Sequence, residues 1–184
     1  MIFTETRLSG VFVIDIEPHR DERGFFARQW CAREFAEAGL DTRIAQINTA
    51  HNIAAGTLRG LHFQVAPDGE SKLVRCPRGA IFDVAVDLRP QSPTFCAWFG
   101  VGLDATSGRM LFIPEGCAHG YLTLTPGTDV SYQASRPYVA SSARGVRHDD
   151  PAFGISWPAS VQTISHQDDS WERFDPGTFG REEP

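Results

Sequence analysis

Several features of secreted and membrane proteins are missing from this sequence of 184 residues. No apolar run approaches the roughly 18 residues that a membrane-spanning helix needs. The opening MIFTETRLSG does not place an apolar stretch after basic residues, so no secretory signal is expected. The four cysteines, Cys31, Cys76, Cys96 and Cys117, show neither a C-x-x-C pair nor zinc-finger spacing. We therefore expect a cytoplasmic protein with reduced thiols and no membrane partner.

An excess of positive charge is missing as well. The 23 acidic and 17 basic residues give a net charge of −6, and the two signs are interspersed. A nucleic-acid partner is therefore not expected, whereas a small anionic ligand remains compatible because local arginines decide its binding. No repeat, low-complexity tract or linker divides the sequence. Residues 1–184 are predicted to form one domain, with mostly loop or a short helix from about Pro151 onward.

What the sequence does contain is a series of short strand-like runs. These runs are rich in β-branched or aromatic residues and are bounded by Gly, Pro, Asp and Ser, and many short strands with regular turn signals are typical of a β-sandwich or barrel. Strands are predicted near residues 44–48, 57–64, 73–76, 80–88, 95–103, 110–113, 121–124 and 130–135. One helix is predicted over residues 29–38, which are rich in helix formers and precede Gly39. The predicted fold class is all-β, with one or two short peripheral helices.

The segment GRMLFIPEGCAHG has the spacing G-x5-P-x-G-x2-H, ending at His119, and resembles the second motif of the cupin superfamily. Metal-binding cupins supply H-x-H and a later Glu in their first motif. The corresponding place here reads HFQ, with His62 and Gln64, and Glu70 lies beyond. An amide oxygen is a poor substitute for imidazole on a transition metal. We therefore predict no metal and no other cofactor, and a metal-dependent oxygenase or isomerase built on His62 and His119 is the disfavoured alternative.

Without a metal, the residue types near His62 favour proton transfer. Imidazole titrates near neutral pH and is the usual proton shuttle. Lys72 and Arg59 add positive charge that can stabilise a developing oxyanion. Tyr132 offers a phenol and Asp83 a carboxylate. The set suits proton abstraction beside a carbonyl, and a structural histidine with strand-packing tyrosines is the competing interpretation.

The stretch TLRGLHFQ, residues 57–64, does not fit a regular strand. Alternation would place Arg59 and His62 on opposite faces. Gly60 lies between them and permits a bulge or twist. We predict that such an irregularity lets both side chains face one cavity.

Eight segments in order resemble the dTDP-4-dehydrorhamnose 3,5-epimerase family and extend over about residues 21–168. They are DERGFF, QIN, TLRGLHFQ, KLVRC, IFDVAVDLR, SPTF, IPEGCAHGY and GVRHDDPAFGISWP. The resemblance implies a cupin-type double-stranded β-helix, or jelly roll, that acts without a metal and usually as a homodimer. It also implies an isomerase that epimerises a nucleotide-linked 4-keto-6-deoxyhexose. Such enzymes deprotonate carbons next to the ketone and reprotonate them from the opposite face.

The resemblance further implies roles for individual residues. His62 is the base and Asp168 its supporting carboxylate. Lys72 stabilises the enolate, and Tyr132 is the acid. The implied substrate-binding residues are Arg23, Gln46, Asn48, Arg59, His119, Tyr138, Asp83 and Arg28. Of these, Arg23, Gln46 and Asn48 match nucleotide and phosphate contacts, and Tyr138 matches an aromatic ring that stacks on the base.

Three positions depart from the family pattern. Arg28 and Ala143 stand where glutamate is usual, and Gln167 stands where lysine is frequent. All three belong to substrate binding rather than proton transfer. The reaction type is therefore expected to be preserved, while either the nucleotide or sugar differs from the common dTDP-4-keto-6-deoxyglucose or nearby contacts compensate. Inversion of one carbon only is a further alternative, and a non-catalytic sugar-nucleotide binding cupin is the non-enzymatic one.

Overall fold

The computed structural model describes residues 1–179, which form mainly antiparallel strands. The strands are β1 Ile2–Glu5, β2 Phe12–Asp15, β3 His19–Asp21, β4 Gly24–Phe26, β5 Gln46–Asn52, β6 Leu58–Gln64, β7 Lys72–Arg78, β8 Ala80–Asp87, β9 Trp98–Asp104, β10 Met110–Ile113, β11 Cys117–Thr123, β12 Thr128–Ala134 and β13 Ala143–Gly145. Two short helices accompany them, α1 Ala32–Glu37 and α2 His166–Asp169. Neither helix found in residues 1–179 has the length and apolar character needed to cross a membrane.

Two sheets pack face to face. One has six strands in the order β1-β2-β10-β7-β12-β5, and the other has five in the order β13-β6-β11-β8-β9. Strands β3 and β4 form a separate hairpin. Most neighbouring strands are distant in sequence, and all the pairs in both sheets are antiparallel, as in a jelly roll. The predicted all-β jelly roll with one or two short helices is confirmed.

Strand β8 illustrates how the sequence forms the two layers. Ile81 and Ala85 belong to a buried cluster that both sheets share, together with Val74 of β7. Val84 and Val86 belong to a second cluster on the outer face, where the C-terminal segment covers the sheet. Because successive side chains of a strand point to opposite faces, one strand contributes to both clusters.

Helix α1 covers the outer face of the six-stranded sheet. Phe35 is 1% exposed, and its ring lies edge-on to Phe3 at 5.3 Å and to Phe112 at 6.2 Å. These aromatic contacts, rather than intrinsic propensity, stabilise so short a helix.

The ends of α1 match the prediction unequally. At the C-terminal end, Gly39 has a φ of +74° and donates its N–H to Ala36, while Leu40 donates to Phe35. This is the glycine-terminated ending that was predicted. The helix begins at Ala32, three residues later than the predicted residue 29.

Each of the eight predicted strands overlaps an observed strand, although several boundaries differ by two to four residues. The sequence analysis missed β1 to β4 and β13, which are only three or four residues long. Segments this short show too little alternation to be recognised, and they are extended because a neighbouring strand pairs with them. The segment after Pro151 contains loops and α2, as predicted, as far as residue 179.

A bulge interrupts β6 where it pairs with β11. His62 pairs with His119 and Arg59 pairs with Tyr121, so β6 has one residue more than β11 between the two pairs. A Cβ on Gly60, whose φ is +122°, would lie 2.5 Å from Gly120 Cα. The extra residue reverses the alternation, and Arg59 and His62 both line one cavity. The predicted irregularity at Gly60 is confirmed.

Gly60→Ala is expected to lower the free energy of unfolding by about 2 kcal/mol or more, because strain at an unfavourable positive φ costs about 1–3 kcal/mol and the clash with Gly120 adds to it. Urea unfolding measures the change. Gly102→Ala is the matched control, since no atom lies within 4 Å of a Cβ built there. An equal effect of the two substitutions would contradict the assigned role of Gly60.

Candidate active site

A cavity of about 660 Å³ opens between the two sheets. Inward-facing residues of β5, β6, β7, β11 and β12 form its wall, and parts of residues 134–144 and 163–171 form its rim. Its volume lies within the roughly 300–1,000 Å³ that is typical of small-molecule sites. The cavity therefore has the size and the position of a ligand site.

His62 and Asp168 form a hydrogen-bonded pair in this cavity. His62 Nε2 lies 2.6 Å from Asp168 Oδ1, and the histidine side chain is 46% exposed while the aspartate is 6% exposed. The Gly60 N–H donates to Asp168 Oδ2 at 3.2 Å. The N–H of Asp168 donates to the Ser165 hydroxyl at the start of α2. The carboxylate is thus held firmly, and the other imidazole nitrogen has no hydrogen-bond partner among the described residues.

The charge state of Asp168 follows from its surroundings. Burial by itself raises the pKa of this carboxyl, but the hydrogen bond and charge of His62, together with the Gly60 N–H, outweigh burial and hold the pKa below its usual range. Asp168 is therefore ionised at neutral pH. A carboxylate in this position orients the imidazole and stabilises its protonated form.

A second histidine and aspartate lie beside the first pair. His119 Nε2 is 2.7 Å from Asp83 Oδ1, and the Asp83 side chain is fully buried. Burial raises the pKa of Asp83, although His119 and Lys72 oppose the shift. Each of the two histidines therefore has its own carboxylate partner in the wall of the cavity.

Lys72 lies at the start of β7 and contacts two oxygens. Its Nζ is 2.8 Å from Glu70 Oε1, and both side chains are nearly buried. The same nitrogen donates to the backbone carbonyl of His62 at 3.3 Å. The ammonium is thus next to the histidine pair in the cavity wall.

Tyr132 and Arg59 complete the polar wall. Burial raises the pKa of the Tyr132 phenol, and the negative charge of Glu70 raises it further, so the phenol is protonated at neutral pH. Arg59 Nε donates to Asn52 Oδ1 at 2.9 Å. No described carboxylate forms a salt bridge with Arg59, which leaves its charge available to a ligand.

Gln64 has a structural role. Its Nε2 donates to the carbonyls of Asp68 and Pro137 at 2.9 and 3.1 Å, and its Oε1 accepts from the Val139 N–H at 2.6 Å. The amide therefore joins the loop after β6 to the segment after β12. Within residues 1–179, no three His, Cys, Asp or Glu side chains are grouped so that they could hold a metal ion.

Most of the predicted site residues meet at this cavity. Those that line it are His62, Tyr132, Lys72, Asp168, Gln46, Asn48, Arg59, His119 and Tyr138. Asp83 lies behind His119, to which it is hydrogen-bonded. Arg23 pairs with Asp21 on the exposed β3–β4 hairpin, and Arg28 pairs with Glu34 near α1, so neither arginine lines the cavity of its own chain.

Several residues that line the cavity had no catalytic or substrate-binding role in the sequence analysis, and among them are Glu70, Tyr121, Arg136, Arg144 and Trp171. Period-two spacing provides a signal for two of them, because Glu70 is two residues from Lys72 and Tyr121 is two residues from His119. The other three lie in connecting segments, where no periodicity indicates which side chains face a cavity.

The sequence profile of the dTDP-4-dehydrorhamnose 3,5-epimerase family matches residues 5–176 of this chain. The chain is 43% identical over 174 residues to the dTDP-4-dehydrorhamnose 3,5-epimerase of Methanothermobacter thermautotrophicus, covering 92% of each protein.

Solved structures agree with the sequence match. The dTDP-4-dehydrorhamnose 3,5-epimerase of Elizabethkingia anophelis superposes with a TM-score of 0.92 at 32% identity, covering 95% of this chain and 96% of that one. The dTDP-6-deoxy-D-glucose-3,5-epimerase of Legionella pneumophila, solved in complex with dTDP-4-keto-L-rhamnose, superposes with a TM-score of 0.85 at 36% identity, covering 91% and 89%.

The lowered pKa of Asp168 predicts how the pair with His62 affects stability. A carboxyl whose folded pKa lies below its unfolded value stabilises the fold above the unfolded pKa, and this contribution is lost as the pH falls through the folded pKa. The stability of the protein relative to its Asp168→Asn variant should therefore decrease on acidification below about pH 5. Urea unfolding at a series of pH values measures this difference, with Asp169→Asn at the neighbouring exposed position as the control. A difference that stays constant with pH would contradict the assignment.

Proposed function

This chain belongs to the dTDP-4-dehydrorhamnose 3,5-epimerase family, and we propose that its cavity inverts the carbons next to the ketone of a dTDP-linked 4-keto-6-deoxyhexose. It is therefore an isomerase-class enzyme. The observation that carries the proposed mechanism is the placement of the His62–Asp168 pair and the Tyr132 phenol in one cavity but on different sheets.

His62 removes the first proton. Its ring nitrogen takes the proton from the carbon beside the ketone, and the electron pair of the C–H bond passes to the ketone oxygen as an enolate. The ring becomes an imidazolium, whose charge Asp168 stabilises at 2.6 Å. This carboxylate remains ionised and accepts no proton itself, because its pKa is held low.

Lys72 and Arg59 stabilise the enolate oxygen. Both side chains line the cavity, and the Lys72 ammonium lies close to the backbone of His62. Preorganised cationic donors of this kind stabilise charge that develops in the transition state, and each is typically worth about 10²–10³ in rate.

Tyr132 returns a proton to the same carbon. His62 belongs to the five-stranded sheet and Tyr132 to the six-stranded sheet, so a sugar bound between the sheets lies between the two groups. A proton removed toward one sheet and delivered from the other inverts the carbon. The phenol carries that proton at neutral pH because its pKa is raised. After the transfer, the tyrosinate regains a proton from solvent and the His62 imidazolium releases its proton to solvent, which restores both groups.

The cavity also supports a nucleotide diphosphate as the ligand. Arg59, Arg136 and Arg144 line it without a carboxylate partner among residues 1–179, although the whole chain has a net charge of −6. Arginine suits a diphosphate because its planar fork can bond two oxygens at once. Gln46 Oε1 accepts the Tyr138 N–H at 2.7 Å, which positions that ring at the rim for stacking on the base.

Asn48 and His119 also line the cavity, and we assign them to binding of the substrate. Asp83 then acts by orienting His119. The relative from Legionella pneumophila, solved with dTDP-4-keto-L-rhamnose, supports a dTDP-sugar as the substrate.

We further propose that the enzyme is a homodimer. The β3–β4 hairpin carries Arg23 and exposes Phe25 and Phe26, which are 54% and 73% exposed. A second copy of the chain that covers these rings would bring Arg23 to the cavity of its partner. Arg28, which is also exposed, keeps its proposed role in substrate binding.

Two broader assignments complete the proposal. Residues 1–184 form one domain, and of these residues 180–184 lie outside the described part of the chain. The cavity draws on both sheets and on the C-terminal segment, which supports one unit. The enzyme acts in the cytoplasm, which is consistent with four cysteines that form no disulfide.

Replacing the acid and the base should separate the two proton transfers. Tyr132→Phe is expected to lower turnover by about 10²- to 10⁴-fold, the usual contribution of a general acid, while solvent deuterium still enters at the acidic carbon. His62→Asn is expected to abolish both exchange and turnover. NMR in D₂O follows C3 and C5 separately and so shows whether one carbon or both exchange.

The control for these variants is His166→Asn, which changes an exposed histidine of α2. Normal exchange in His62→Asn would show that His62 is not the base. Loss of all activity on removal of metal would instead favour the metal-dependent alternative, and binding without any exchange would favour a non-catalytic protein.

Turnover with dTDP-, UDP-, CDP- and GDP-linked 4-keto-6-deoxyhexoses should rank the dTDP-sugar first. The UDP-sugar lacks the thymine methyl group and carries an additional 2′-hydroxyl. We expect at least about tenfold in kcat/KM over it, because one methyl group in a pocket is by itself usually worth that much. Ala143 and Gln167 line the cavity, so the departures at these two positions are able to change specificity. A preference for another nucleotide would indicate a change in nucleotide specificity, for which Ala143 and Gln167 are the candidate positions.

A further inference from the structure

Glu70 is a nearly buried acid in the cavity that the proposed mechanism does not use. It lies two residues before Lys72, and Ser71 between them faces the other way, toward Asp41 and Ser135. In an extended segment, residues two apart share a face. Glu70 and Lys72 therefore both face the cavity, and both line it.

The segment that carries Glu70 is held in place on both sides. Gln64 donates to the Asp68 carbonyl, and the Ser142 hydroxyl donates to Asp68 Oδ2 at 2.5 Å. Gly69 packs so closely on Glu115 that a Cβ there would lie 2.3 Å from its carboxylate oxygen. The carboxylate of Glu70 is thus presented from a fixed backbone.

Lys72 needs such an anchor. Its side chain is a flexible chain of four methylene groups that ends in a compact, strongly hydrated ammonium. The Lys72 side chain is 11% exposed and the Glu70 side chain is 9% exposed, with 2.8 Å between Nζ and Oε1. A charge this far from water requires a partner, because an unpaired charge is costly to bury. The Asp83 carboxylate also interacts electrostatically with the Lys72 ammonium, but Glu70 is the carboxylate that contacts Lys72 directly.

We propose that Glu70 is a positioning residue for the epimerisation, and that its ion pair holds the Lys72 ammonium where the enolate oxygen forms. The inference rests on the proposed function, in which Lys72 stabilises the enolate. The ammonium has three N–H donors, of which one is directed to the His62 carbonyl. With the nitrogen anchored by Glu70 and by this carbonyl, a donor remains for the substrate oxygen.

The same carboxylate acts on the acid of the reaction. After burial, the charge of Glu70 is the main cause that raises the pKa of Tyr132, whereas a hydrogen bond with Asn48 and then the charge of Arg59 lower it. Tyr121, on β11, is the neighbouring phenol. Because the phenol must be protonated to act, activity is lost as the pH rises through its pKa. Removing the charge at position 70 lowers that pKa, and the alkaline limb of the rate profile should move to lower pH.

Two variants test the proposal. Glu70→Ala should lower kcat by about 10- to 100-fold, the cost of misplacing a catalytic group by about an ångström, while the affinity for dTDP stays within about twofold of wild type. Glu70→Gln keeps an oxygen beside Lys72 but removes the charge, so it should retain more activity than Glu70→Ala. Both variants should shift the alkaline limb to lower pH. Kinetics from pH 6 to 11, a range that extends beyond the ordinary phenol pKa of about 10, give the rates and the alkaline limb, and calorimetric titration gives the affinity for dTDP.

Glu115→Gln is the matched control, since this carboxylate packs on the same segment but does not line the cavity. The proposal would be overturned if Glu70→Gln had the kcat of wild type and the alkaline limb of its pH–rate profile did not move. This outcome is decisive even where Glu70→Ala fails to fold. A loss of dTDP affinity equal to the loss in kcat/KM would also overturn it, because Glu70 would then be a binding contact. Lys72→Ala distinguishes failure of the proposed function from failure of this inference. Full activity of Lys72→Ala would refute the role of Lys72 in stabilising the enolate. An inactive Lys72→Ala variant together with a Glu70→Gln variant that behaves like wild type would refute only the role of Glu70.

Discussion

The need to pair the carboxylates that are buried in the wall between the two sheets governs the arrangement of this site. A buried ion without a partner is costly, and removal of one member of a buried pair is strongly destabilising. Three such pairs line or support the cavity: His62 with Asp168, His119 with Asp83 and Lys72 with Glu70. Each pair joins a group that faces the ligand to a carboxylate in the wall. The carboxylates are less exposed than their partners, so the reactive groups remain accessible while their orientation is fixed.

The irregularity of β6 brings these groups together. Gly60 and Gly120 meet backbone to backbone, and the extra residue turns Arg59 and His62 toward the same side. The Gly60 N–H also binds Asp168, so the bulge supports the base as well as the arginine. Gln64, four residues on, uses its amide to tie the loop that leads to Glu70 and the segment that leads to Tyr138.

Two facing sheets also provide a simple physical basis for inversion at carbon. The proposed base His62 and the proposed acid Tyr132 belong to different sheets, so in the proposed mechanism they approach a bound sugar from two sides without any movement of the backbone. The raised pKa of Tyr132 keeps its phenol protonated, and the lowered pKa of Asp168 keeps its carboxylate ionised at the same pH. Opposite shifts within one cavity are the arrangement that acid–base chemistry near neutral pH requires.

The sequence by itself determined the all-β class, eight of the strands and the ending of α1 at Gly39, and it gave His62, Lys72 and Tyr132 as candidate site residues. Strand periodicity, turn residues and ordered motifs are local properties, so they are readable without a structure. Only the tertiary structure decided which groups meet. Asp168 is 106 residues from His62, so no local pattern shows their contact, which the sequence indicated only through the family resemblance. Among the short strands, β2 and β13 pair with the distant strands β10 and β6. The partner of Lys72 also depends on packing, since Glu70 becomes its counter-ion only because both sheets exclude water around the pair. Arg23 and Arg28 lie outside the cavity of their own chain, because the hairpin and the α1 region face away from it, and no local pattern indicates that direction.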